Sequence, residues 1–193
     1  METSRLLDAR NIKLHLFQMV IISAMAIVCS GCVTYIGIDG PYEGKVIDSQ
    51  TKQPIEGAVV HGKWTKRHLT VAGPKGEYYD SYEVLTDKNG EFKIPGQGLL
   101  VLSNMEEMQV NVFKAGYEQY SNWWSVTEGV KGVTRQGNKL VFDLRRMTME
   151  ERKMRGVDLP LSEPSEKQRL LRIEYNKEMI ESGRTSVPVF PVE

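Results

Sequence analysis

Tyr82-Glu83-Val84-Leu85-Thr86-Asp87-Lys88-Asn89-Gly90-Glu91-Phe92-Lys93-Ile94 holds two short β-rich runs around a turn. Asn and Gly accept positive φ, so Asp87-Lys88-Asn89-Gly90 predicts a hairpin between strands at 82–86 and 91–94. Working outward on the N-terminal side, Gly44–Asp48 and Ala58–Trp64 read as strands, separated by the polar turn Ser49–Pro54. On the C-terminal side, Met108–Lys114 and Lys139–Leu144 complete the set. Val110-Asn111-Val112-Phe113 and Leu140-Val141-Phe142-Asp143-Leu144 have the period of two that a half-buried strand requires. Short strands without intervening helices predict an all-β sandwich, two sheets burying alternate faces against each other. The side chains expected inside are Val46, Val59, Trp64, Leu85, Phe92, Ile94, Val110, Val112, Tyr117, Val141 and Leu144.

The 193 residues suit one domain with appended segments. Equal numbers of basic and acidic residues, 25 of each, exclude a generally basic nucleic-acid binder. Two cysteines cannot staple a disulfide scaffold. Three histidines leave little material for zinc or acid–base chemistry, and no cofactor or metal is expected.

Leu14–Val28 is an apolar run preceded by Arg5, Arg10 and Lys13 and followed by Cys29-Ser30-Gly31-Cys32. A basic flank, an apolar stretch and small residues at a cut site have the form of a secretory signal, which places the rest outside the cytoplasm. An uncleaved anchor stays open, because no charge interrupts Leu14–Ile38 and a spanning helix needs only ~20 residues. The C-x-x-C spacing has neither the strand before it nor the helix at it that a redox motif needs.

Ser30-Gly31-Cys32 resembles the lipobox of bacterial lipoproteins, with Cys29 where that motif usually has Leu. The resemblance implies cleavage after Gly31, diacylglycerol on the Cys32 sulfur and a membrane-anchored body at the cell envelope. By that family's sorting rule Val33, rather than Asp, implies the outer membrane, facing the periplasm, if the source is Gram-negative. Residues 1–31 are then signal peptide and 32–41 a tether.

Four further pieces resemble a carboxypeptidase regulatory-like domain. They are Gly44-Lys45-Val46-Ile47-Asp48, Pro54-Ile55-Glu56-Gly57-Ala58-Val59-Val60, Thr86-Asp87-Lys88-Asn89-Gly90-Glu91-Phe92 and Val112-Phe113-Lys114-Ala115-Gly116-Tyr117. The resemblance covers 42–146 and implies a transthyretin-like (prealbumin-like) β-sandwich of about seven strands. Two departures are a long insertion, Thr65–Ser81, and a long segment, Ser121–Asn138. A zinc carboxypeptidase needs a His-x-x-Glu pair, whereas His61 is followed three on by Trp64 and His68 by Val71. The likeness is therefore to the accessory domain, and a non-enzymatic role is expected.

Residues 147–193 form a helical extension with a Pro-containing tail. Thr148-Met149-Glu150-Glu151 is a capping box that opens a short helix. Ser165-Glu166-Lys167-Gln168 is a second, opening a helix to about Ser182, with Gly183 as its stop. Leu171, Tyr175 and Met179, flanked by Ile173 and Ile180, predict the face it lays on the sandwich or on a partner. Asp87-Lys88-Asn89-Gly90-Glu91 is too short for an EF-hand calcium loop.

Tyr117, Tyr120, Trp123 and Trp124 form the candidate ligand or partner surface, and Tyr78, Tyr79 and Tyr82 a second aromatic group. Such rings pack loops onto a core, stack on sugars or cover a protein interface. The expected function is a non-catalytic, lipid-anchored envelope protein in binding or assembly, with an envelope protein as partner. The alternatives are a carbohydrate-binding module using the aromatic loops and an envelope hydrolase using His61 or His68.

Overall fold

Segments that alternate apolar and polar side chains form strands with one face to bury, and here two sheets bury theirs against each other. The computed structural model describes residues 18–23, 36–101, 104–122, 132–137, 139–156, 159 and 163–191. The chain divides into two units, residues 1–36 with 101–103 and residues 37–100 with 104–193. In the first, residues 18–23 are helical. Among the described residues no helix is long and apolar enough to cross a membrane.

The strands are β1 (Ile36–Asp39), β2 (Tyr42–Asp48), β3 (Val59–Thr70), β4 (Gly73–Leu85), β5 (Glu91–Ile94), β6 (Gly98–Val101), β7 (Gln109–Phe113), β8 (Tyr120–Asn122), β9 (Val133–Gln136) and β10 (Lys139–Leu144). Helix α1 (Met149–Met154), a 3-10 turn (Ser165–Gln168) and helix α2 (Arg169–Glu181) follow. One sheet has the order β5-β2-β10-β9, the other β4-β3-β7-β8, and β1 pairs with β6 in a two-stranded ribbon. Within the two four-stranded sheets only β2 and β10 run parallel, with Val46 opposite Phe142.

The all-β sandwich expected from the alternation is the architecture observed. Val46, Val60, Trp64, Ile94, Val112 and Phe142 are almost wholly buried between the sheets. Phe142 is the hub, with ring centroids 5.9 Å from Phe92 and 5.1 Å from Tyr120. Gly44 permits this packing. A Cβ there would lie 2.5 Å from both the Leu140 carbonyl oxygen and the Phe92 ring. The 87–90 turn forms as its residues predict. Asp87 Oδ1 accepts from the amides of Asn89 and Glu91 at 2.9 and 2.8 Å, and Gly90 takes φ +73°.

Several expectations are corrected. Leu85 is 48% exposed, because the strand's parity turns Val84, not Leu85, toward the core. Tyr117 is only partly buried. Thr65–Ser81 is not a loop inserted between strands. It is the continuation of β3 and β4 as one long hairpin, with a register shift at Trp64/Thr65 that leaves Tyr79 unpaired. The 32–41 stretch expected as tether contains β1, and the Ser121–Asn138 segment contains β9.

The C-terminal extension covers the outer face of the second sheet. Thr148 caps α1 as a capping box with Glu151, as read from the sequence. The second box does not form: Ser165–Gln168 is a 3-10 turn, and α2 starts at Arg169 without a side-chain cap of its own. The cap comes instead from β4, where the Glu83 carboxylate accepts from the amides of Leu170 and Leu171 at 2.7 and 2.9 Å. Burial raises the Glu83 pKa, and these two amides oppose the rise.

The expected helix face holds at Leu171, which is buried with Tyr175 packed against its cluster, and is corrected at its flanks. Ile173 and Ile180 are exposed, while Leu171, Glu174, Asn176 and Glu178 are buried. A small apolar contact of Leu171 with Val59 and Phe113 is ringed by polar fastenings. Glu174 Oε1 accepts from Ala115 N at 2.9 Å, and Glu178 Oε2 from Gly116 N at 2.8 Å. Arg152 grips Glu178 at 2.7 Å. Ahead of α2, Glu163 meets His61 at 2.9 Å and Lys63 at 3.6 Å, its side chain fully buried. A buried charge is tolerated only when paired in this way.

Candidate functional site

Strand ends bring chemistry together because turns leave polar groups free to face a ligand. At one end of the sandwich the β2–β3 turn, the turn after β7 and the residue beyond β10 enclose a cleft of about 700 Å³. Asp48 ends β2, and its Oδ1 accepts from the amides of Gln50 and Thr51 at 2.9 and 3.0 Å. Gly116, at φ +86°, turns the chain so that Tyr117 N bonds Lys114 O at 3.0 Å. Tyr117 and Arg146 are bridged through their backbones.

The side chains then form a relay of bonds. The Tyr117 hydroxyl donates to Asp48 Oδ2 at 3.2 Å and accepts from Arg146 Nη2 at 2.8 Å. The guanidinium carbon of Arg146 lies 5.2 Å from the Tyr117 ring centroid, within cation–π range. Lys114 lines the same cleft, its ammonium on Gly57 O at 2.9 Å. The Thr51 amide holds the Asp48 carboxyl below the usual aspartate range. The Gln50 amide, the Tyr117 hydroxyl and the Arg146 charge act the same way, against the effect of burial. Its contribution to stability is therefore present above the unfolded value of about 3.9 and is lost as pH falls through the lower folded value.

An aromatic ring beside two cations and a bonded carboxylate offers a flat apolar face with donors at its edge. That set suits a ligand carrying hydroxyl or carboxylate groups. Tyr117, expected on the ligand or partner surface, lines this cleft. Tyr120, expected on the same surface, is 9% exposed with its ring against Phe142, so it belongs to the core. Trp123, Trp124 and Cys32 lie outside the described residues. In the second aromatic group, Tyr79 and Tyr82 are exposed, and Lys66 Nζ lies 3.8 Å from the Tyr79 ring centroid.

His61 is locked in the buried pair with Glu163, and His68 meets Glu77 at 3.2 Å on the exposed part of the same strand. Seven residues of strand separate the two histidines by about 23 Å, so they do not share a site. Among the described residues no group of three or more His, Cys, Asp or Glu is placed to hold a metal ion. Asp48, Lys114 and Arg146 were not singled out from the sequence. The Asp-x-x-Thr turn signal was available for Asp48, whereas Arg146 reaches the cleft only through the pairing of distant strands.

No family model, curated protein or solved structure matches this chain.

Proposed function

We propose that this chain is a lipid-anchored protein of the bacterial cell envelope whose β-sandwich body binds or assembles with other envelope components and catalyses no reaction. The observation that carries the reading is Ser30-Gly31-Cys32 directly after an apolar run with a basic flank. Two acyl chains on one thioether hold a protein to a bilayer, each buried methylene contributing about 0.8 kcal/mol. The body is a sandwich resembling the carboxypeptidase regulatory-like domain, with a polar cleft at one end. In a bacterial host, wild-type protein is expected to incorporate labelled palmitate and to sediment with membranes after leader removal. Cys32→Ser is expected to lose the label and keep its leader. A wild-type protein whose intact mass shows the leader attached and no acyl group defeats the reading.

A carbohydrate ligand is the second reading, favoured by the partly exposed Tyr117 ring in the cleft. On a glycan array, Tyr117→Ala is then expected to lower the bound signal about tenfold, the equivalent of roughly 1.4 kcal/mol. An unchanged signal, or none from the wild type, removes it.

A further inference from the structure

The β3–β4 hairpin extends as an exposed arm. Its pairing runs on from Thr65↔Tyr78 to Thr70↔Gly73, and residues 67–72 are all exposed. The arm is braced near its root. Arg67 N bonds Asn104 O at 2.9 Å, and Glu106 N bonds Thr65 O at 2.8 Å. Its turn is closed by Thr70 Oγ1 donating to Gly73 O at 2.7 Å. At the tip stand two large apolar side chains, Leu69 at 88% exposure and Val71 fully exposed.

The rungs behind the tip are basic. His68 faces Lys75 across the ladder, and Arg67 comes next, its guanidinium 63% exposed while sharing Glu106 at 2.7 Å. Along the arm itself the first acid back from the tip is Glu77, which meets His68. An apolar point with cations behind it is complementary to a bilayer whose surface is anionic and whose interior is hydrocarbon. A protein partner fits less well. Stable interfaces bury on the order of 1,200–2,000 Å² in total, far beyond what two side chains cover.

We propose that this hairpin tip is a membrane wedge, seating Leu69 and Val71 among the acyl chains of an anionic phospholipid surface while Arg67 and Lys75 meet the phosphates. It rests on the envelope reading only for the nearness of a bilayer.

The test uses the full chain with Cys29→Ser and Cys32→Ser, and an environment-sensitive fluorophore on Ala72→Cys. The apolar N-terminal run can carry this chain to any vesicle, so the label at the tip, not sedimentation, is the readout. With phosphatidylglycerol vesicles the emission is expected to shift to the blue and rise several-fold. With phosphatidylcholine vesicles, or in high salt, most of the change is lost. Adding Leu69→Ser and Val71→Ser is expected to weaken the tip's partitioning at least about tenfold. A label that stays in water on vesicle-bound protein overturns the wedge. So does a blue shift that follows protein concentration without lipid, which assigns the tip to a second copy. Because this chain lacks the lipidation cysteine, either result is independent of the palmitate experiment, and each proposal fails separately.

Discussion

Glu178→Ala is expected to destabilise the protein by about 3–5 kcal/mol, the range seen when one member of a buried ion pair is removed. Glu178 is fully buried. Its carboxylate takes three bonds from Arg152 between 2.7 and 3.1 Å, one from Gly116 N, and lies 3.6 Å from Arg184. Truncation leaves Arg152, 11% exposed, with Glu181 at 3.0 Å as its remaining carboxylate, and strands the Gly116 amide. Arg152→Met removes the stranded cation, so the double variant is expected to lose less than the sum of the two singles. Urea unfolding of the four proteins gives the cycle. Hydrogen exchange is expected to show faster exchange in α2, with the amides of β2 and β3 still protected. Wild-type stability in Glu178→Ala removes the fastening role assigned to this residue.

Phe142→Ala is expected to cost a similar amount, about 3–5 kcal/mol, for a different reason. Its ring is fully buried and packs on Phe92 and Tyr120, bridging strands of both sheets. Removing it leaves a cavity that the surrounding backbone, fixed by ladder bonds on both sides, cannot close. A small domain has only about 5–15 kcal/mol of stability in total. The midpoint of urea unfolding is therefore expected to fall steeply with little change in slope, and Phe142→Leu to recover most of the loss. A midpoint within error of wild type contradicts the packing described.

The strands that bury one face were legible in the sequence. In β2, β5, β7 and β10 the inward side chains are the alternating apolar ones, and Val46, Phe92, Ile94, Val110, Val112 and Leu144 lie inside as expected. The outer half of the β3–β4 hairpin buries neither face. It has no alternation to read, so it looked like a loop. Leu85 was misplaced because hydrophobicity favours it over Val84, while the register with Val59 and Val60 decides the parity.

The docking of α2 was legible only in part. Apolar periodicity points to Leu171 and Tyr175, which do join the cluster with Val59 and Phe113. The flanking Ile173 and Ile180 stay exposed, and much of the fastening is by carboxylates bonded to backbone amides, for which periodicity carries no signal. Of the cleft, Tyr117 could be read from its own neighbourhood. Arg146 and Asp48 meet it through pairing between segments far apart in the chain.

The parallel union of β2 with β10 has a consequence for how the body is made. Gly44 finds Leu140 across about a hundred residues of intervening chain, and the middle of that sheet has no second flank until then. Folding of this kind cannot finish from the N-terminus onward. The sheet stays open at its centre until β10 arrives, so an unpaired edge of β2 is left available to other chains for as long as synthesis of the intervening segment takes.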